Sequence, residues 1–184
     1  MGQMGLFFVA FAAVCVVIAA QAPKVNVTLY SESLCPDCQH YITTSWWDMW
    51  SSDAKDIINW GQVVWGNARL SPDGTITCQH GAAECDLNIM QDCAINVSTG
   101  PSQWVPFIHC LETHGTSQKQ FVSKCATSAG IPINALNTCW QGPVGKALIL
   151  AAAAATPSNH QYVPCKFDAS HPCAPKPPPR KTKP

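Results

Sequence analysis

Apolar and polar side chains alternate from Val25 through Asn26, Val27, Thr28, Leu29 and Tyr30, the period-two pattern of a half-buried strand. After a short turn through Ser31 and Leu34 the period changes. Tyr41, Ile42, Ser45, Trp46, Met49 and Trp50 recur at helical spacing, so residues 36–50 read as one amphipathic helix with these side chains toward a core. Gly61 to Ala68 has the composition of a second strand, and Ser71-Pro72-Asp73-Gly74 is a turn by its proline and glycine. A strand, a helix and a strand in that order predict a β-α-β unit with parallel strands. Between Thr77 and Trp140 the pattern favours short helices, with Trp104, Phe107, Ile108 and Leu111 on one apolar face, punctuated by Pro101-Ser102 and Gly130-Ile131-Pro132. Val144 to Ala155 is rich in Ala and Leu and predicts a last helix that returns to the sheet and stops at Thr156-Pro157-Ser158-Asn159. The fold class is α/β with a helical insertion over about residues 77–140.

Between the first strand and its helix stands Cys35-Pro36-Asp37-Cys38. Pro36 suits the first helical turn, where a missing N–H costs nothing, so both cysteines fall at the helix N-terminus. Unpaired amides and the positive end of the helix dipole favour a thiolate on Cys35, and Cys38 lies one turn on, where it can resolve a mixed disulfide. Asp37, when ionised, opposes that effect. The same spacing also fits a permanent disulfide or half of a zinc site. A zinc site needs a second matched pair, and Cys78-Gln79-His80 separates its ligands by a single residue. The preceding strand favours a thioredoxin-like redox motif, at the carboxyl end of a strand where open α/β sheets place their sites.

Composition narrows the setting. The chain has 184 residues, a formal net charge of zero and eleven cysteines. No basic patch supports nucleic-acid binding. Leu6 to Ala20 is a continuous apolar run followed by small residues suited to cleavage near Ala20 or Ala22, so residues 1–22 read as a secretory signal, too short for a membrane anchor. Its removal takes Cys15 away and leaves ten cysteines in an oxidising compartment, which implies a disulfide framework. Six of them, Cys78, Cys85, Cys93, Cys110, Cys125 and Cys139, staple the helical insertion. Asn26 and Asn96 open glycosylation sequons, Asn96 the better placed. Residues 166–184, rich in proline and lysine, read as a disordered tail outside the 23–165 domain.

Cys78-Gln79-His80-Gly81, Glu84-Cys85, Asn88 and Cys93 together fit the signature CQHG-x2-EC-x2-N-x4-C at every specified position. With Pro106-Phe107-Ile108, Cys110-Leu111-Glu112 and Tyr162-Val163-Pro164, the chain resembles the gamma-interferon-inducible lysosomal thiol reductases over about residues 25–164. The resemblance implies a thioredoxin-like fold with a helical insertion, reduction of protein disulfides and work in acidic endosomes or lysosomes, while the secretory signal alone also allows an extracellular destination. By position, Cys35 becomes the attacking thiol, Cys38 the resolving thiol, and Pro164 the proline set in cis beside them. The signature residues read as structural, with Glu84 in a capping and hydrogen-bonding role and His80 satisfied by a hydrogen-bond partner of its own, in preference to proton shuttling by either. No metal or organic cofactor is implied; the partners are disulfide-containing proteins and a small-molecule thiol that resets the enzyme.

Acid operation makes a demand, because an unperturbed thiol of pKa about 8.5 is less than about one part in a thousand thiolate near pH 5. The other class of reading is a secreted, disulfide-stapled scaffold or binding protein in which Cys35 and Cys38 form a permanent bridge. After Pro164 the family pattern of hairpin and helix is replaced by Cys165-Lys166-Phe167-Asp168 and the proline-rich tail, which predicts an unfinished sheet, lower stability and impaired activity. Cys165 and Cys173 also offer thiols that could block Cys35 or link two chains into a dimer.

Overall fold

A computed structural model describes residues 23–157. Over them the protein is a mixed α/β structure, mostly helical, with two small two-stranded sheets. Strand β1 (Val25–Ser31) pairs in parallel with β2 (Ile58–Val64), in a register running from Val25 opposite Ile58 to Ser31 opposite Val64. The alternation read from the sequence is the burial pattern of β1: Val27 and Leu29 pack against the core, while Asn26, Thr28 and Tyr30 are exposed.

The second strand lies three residues earlier than its composition suggested. It ends at Val64 because Gly66 takes φ +55°, a left-handed conformation that breaks an extended chain. A glycine is required there also by space, since a Cβ would collide with the Glu32 side chain.

The crossover between the strands is not one regular helix. Helix α1 (Pro36–Tyr41) passes through a π-helical turn (Ile42–Trp46) into α2 (Trp47–Trp50). Thr43 Oγ1 donates to Gln39 O at 2.7 Å and Thr44 Oγ1 to His40 O at 2.6 Å, so two consecutive hydroxyls compete for carbonyls at the turn where the ladder widens. The extra residue shifts the apolar face: Ile42 and Trp46 are buried, whereas Ser45, expected on that face, is exposed. Trp46 and Trp50 each meet Trp60 of β2 edge to face, with ring centroids 4.7 Å and 5.2 Å apart.

The turn at 71–74 joins a two-stranded antiparallel ribbon, β3 (Arg69–Leu70) and β4 (Ile76–Thr77), with Gly74 N–H donating to Ser71 O and Asp73 accepting from Thr75 N–H. Four helices then carry the stapled region, α3 (Ala82–Val97), α4 (Pro101–Glu112), α5 (Gln118–Ala129) and α6 (Ile133–Gln141). The last helix, α7 (Pro143–Ala155), packs on α3 and β2, back at the sheet. Trp104, Phe107, Ile108 and Leu111 all lie in the main core. Disulfides Cys78–Cys85, Cys93–Cys139 and Cys110–Cys125 pair the six cysteines of the stretch among themselves. No helix of the described residues is long and apolar enough to cross a membrane. The expected signal segment, Pro164, Cys165, Cys173 and the tail lie outside the described residues.

Candidate active site

The dithiol stands where a strand feeds a helix. Cys35 is the N-cap of α1 with extended backbone, its carbonyl accepts from Gln39 N–H at 3.0 Å, and Pro36 occupies the first turn. Cys35 and Cys38 are both free, half-buried thiols, and they are the unpaired cysteines among the described residues. Burial pushes the Cys38 thiol far up, the neighbouring Cys35 adds to the rise, and a hydrogen bond with the Glu32 backbone N–H pulls the other way. Cys38 is therefore held as a protonated thiol. Two surface grooves, of 370 and 280 Å³, lie elsewhere, and neither is lined by the dithiol.

The turn ahead of the dithiol is held from three sides. Ser31, Glu32 and Ser33 are all buried, although the three are polar. Ser31 Oγ accepts from Gln62 Nε2 of β2 at 2.9 Å, and Glu32 Oε1 accepts from the Asn67 N–H. Ser33 N–H donates to Asn88 Oδ1 at 2.9 Å, and Ser33 Oγ to the Glu84 carbonyl at 3.3 Å, both on α3. The Ser33 carbonyl accepts from Gln39 Nε2 and from Gln118 Nε2 at the start of α5. Gln118 in turn joins Glu112 and Gln91 in a buried network in which Glu112 accepts from both amides, at 2.9 and 2.7 Å. Burial pushes the Glu112 carboxyl up to about 8, against the pull of those two hydrogen bonds. Buried polar groups cost free energy unless paired, so this network fixes one position for the turn and hence for Cys35.

The signature residues surround the same turn. The Cys78–Cys85 disulfide closes a small loop over Gln79, His80 and Gly81. Gly81 turns with φ +88° into α3, where Glu84 reaches back to accept from the His80 N–H at 3.2 Å and meets its ring Nδ1 at 2.5 Å. Gln79 Oε1 accepts from Asn67 Nδ2 at 2.7 Å, Asn88 holds Ser33, and Cys93 ties α3 to α6. Seven of the eight thus brace the dithiol turn or the loop packed against it. Asn26 and Asn96 are both exposed, Asn26 accepting from Asn59 Nδ2 at 2.9 Å across the sheet.

Glu32 is the residue that sequence reasoning passed over. It is 1% exposed, and burial raises its carboxyl, with the Asn67 hydrogen bond lowering it, Glu84 raising it and His80 lowering it. An acidic residue three positions before the dithiol was the available signal. Gln91, Glu112 and Gln118 gave none, since they meet only through packing of α3, α4 and α5. His114 lies near Cys110 and Cys125, but those sulfurs are bonded to each other.

The family model described as Gamma interferon inducible lysosomal thiol reductase (GILT) matches residues 26–129. A "Gamma-interferon-responsive lysosomal thiol protein" of Arabidopsis thaliana is 35% identical over 150 residues, covering 80% of this chain and 62% of that one. "GILT-like protein 2" of Drosophila melanogaster is 32% identical over 120 residues, 65% of this chain and 56% of its own length. The "Gamma-interferon-inducible lysosomal thiol reductase" of Mus musculus is 28% identical over 151 residues, 78% of this chain and 60% of its own. The chain thus spans about three fifths of the length of these relatives. The matched stretch holds the dithiol, the braced turn and the complete signature, and the chain belongs to the gamma-interferon-inducible lysosomal thiol reductase family.

Proposed function

We propose that this protein is a thiol-disulfide oxidoreductase with a thioredoxin-like fold that reduces disulfide bonds in proteins through Cys35 and Cys38. The observation that carries the reading is the free dithiol at the start of α1, on a braced turn, beside six cysteines already committed to disulfides. The Cys35 thiolate attacks one sulfur of a substrate disulfide, forming a mixed disulfide and releasing one substrate thiolate, which takes up a proton. Cys38 gives up its proton and attacks Cys35 Sγ, releasing the second substrate thiol and closing the Cys35–Cys38 bond. Two equivalents of a small-molecule thiol then reopen that bond and leave as their own disulfide. A dithiol outside the two grooves suits a protein substrate, which brings its own surface, better than an enclosed small molecule.

The setting follows from the same reading: a secretory route through a signal at residues 1–22, glycans at Asn96 and Asn26, and an endosomal, lysosomal or extracellular destination. The test is reduction of a disulfide-linked protein at pH 5 and pH 7 by the wild type and by Cys35→Ser. Loss of turnover in Cys35→Ser is expected, and full activity in it would end the proposal. A Cys35–Cys38 couple more oxidising than about −300 mV agrees with exchange, whereas a much lower potential marks the permanent bridge of a scaffold protein.

A further inference from the structure

Behind the dithiol turn, Glu32, His80 and Glu84 converge from two chain segments, with one ligand-type atom of each within 4.8 Å of the others. Glu32 and Glu84 are 1% and 0% exposed, and the His80 side chain is 30% exposed. Among the described residues neither carboxylate pairs with a lysine or arginine; the ion pair that uses a lysine joins Lys119 to Asp86. Two buried carboxylates share a single imidazole here, and carboxylate charge is expensive to bury unless a cation answers it.

A second observation points the same way. Glu32 Oε1 is held by the Asn67 N–H, but Oε2 is buried and accepts no hydrogen bond. That oxygen lies 3.6 Å from His80 Nδ1. Two ligands on a tetrahedral zinc ion, each about 2.0 to 2.2 Å from the metal, stand about 3.3 Å apart. The Glu32–His80 separation fits that spacing closely. The 2.5 Å separation of His80 Nδ1 and Glu84 Oε2 would have to open by about 0.8 Å to admit the ion.

We infer that Glu32, His80 and Glu84 form a binding site for a divalent transition cation of the zinc type, with water as the fourth ligand on the exposed side of His80. Imidazole and carboxylate donors suit such an ion, and three protein ligands leave one position open. The Cys78–Cys85 disulfide and the start of α3 set out His80 and Glu84, while the braced turn sets out Glu32, so the ion would tie the signature loop to the dithiol turn. This site stands independently of the proposed reductase reaction and involves no step of it.

The experiment uses the full mature-length chain with Cys35 and Cys38 oxidised to their disulfide and Cys165 and Cys173 replaced by serine, so that no free thiol offers a ligand. Zn²⁺ is titrated calorimetrically at pH 7, and Co²⁺ serves as the spectroscopic probe. The expected result is one equivalent of Zn²⁺, weakened at least tenfold in both Glu32→Gln and His80→Gln, and a Co²⁺ spectrum without sulfur charge transfer. X-ray absorption on the wild-type Zn²⁺ form should show an oxygen and nitrogen shell with a single imidazole. Absence of binding to the oxidised wild type, or equal binding in both variants, would overturn the assignment. Where a variant fails to give the wild-type circular dichroism, the wild-type shell decides: several imidazoles or any sulfur contradicts the site.

Discussion

Asp92 on α3 offers a clean reading of how burial shapes this fold. Its side chain is buried, Oδ1 meets the Val64 N–H at 3.4 Å, and Oδ2 has no hydrogen-bond partner. Burial pushes the carboxyl from an ordinary 3.8 up to about 8, and the Val64 contact recovers little of that. The folded chain therefore keeps a proton that the unfolded chain releases. The stability this contributes is fully present below about pH 3.8 and is lost as pH rises through about 8. Between pH 5 and pH 7 the loss from this one group comes to about 2.5 kcal/mol, at roughly 1.4 kcal/mol for each pH unit.

Asp92→Asn keeps an oxygen for Val64 and cannot ionise. Its stability relative to the wild type should therefore swing in its favour by about 2.5 kcal/mol between pH 5 and pH 7. Glu112 and Glu32, raised by burial, act in the same direction, and His109, lowered by burial, acts against them; all three are common to both proteins and cancel in the comparison. Urea denaturation followed by near-ultraviolet dichroism at pH 5, 6 and 7 measures the swing. Parallel curves for the two proteins would refute the reasoning.

The other predictions test the brace around the dithiol. Gly66→Ala forces a side chain into a left-handed conformation and against Glu32, and should cost more than about 2 kcal/mol in thermal unfolding. Asn88→Ala strips the acceptor from the buried Ser33 N–H; a loss of about 1 to 3 kcal/mol and a lower disulfide-reducing rate are expected, and an unchanged rate would detach the signature from the site. Removing Cys93–Cys139, which closes 46 residues, should destabilise by about 4 kcal/mol, against about 2.4 kcal/mol for Cys78–Cys85, which closes 7. Paired Cys→Ala variants compared by denaturant midpoint give the order.

Local pattern revealed the first strand, the helix start at Pro36, the apolar face of α4 and the last helix, because each depends on periodicity or on a proline within a few residues. The π turn was hidden, since Thr43 and Thr44 bend a ladder whose apolar spacing still looks helical. The displaced second strand was hidden for a different reason: Gly61 and Gly66 look alike in sequence, and only the left-handed turn at Gly66, packed against Glu32, stops the strand at Val64. At the site, the dithiol was legible from its own spacing and the signature from its match. The joining network was not, because Ser33 meets Asn88 and Gln118 across 55 and 85 residues of chain.

The central claim is that Cys35 attacks and Cys38 resolves, and the most direct measurement is covalent trapping. Cys38→Ser is mixed with a disulfide-bonded protein substrate and the products are separated without reductant and mapped by mass spectrometry. The account predicts a stable mixed disulfide joining Cys35 to the substrate, released by a small thiol and absent from Cys35→Ser. A substrate adduct on another cysteine, or none while the wild type reduces the same substrate, would contradict it.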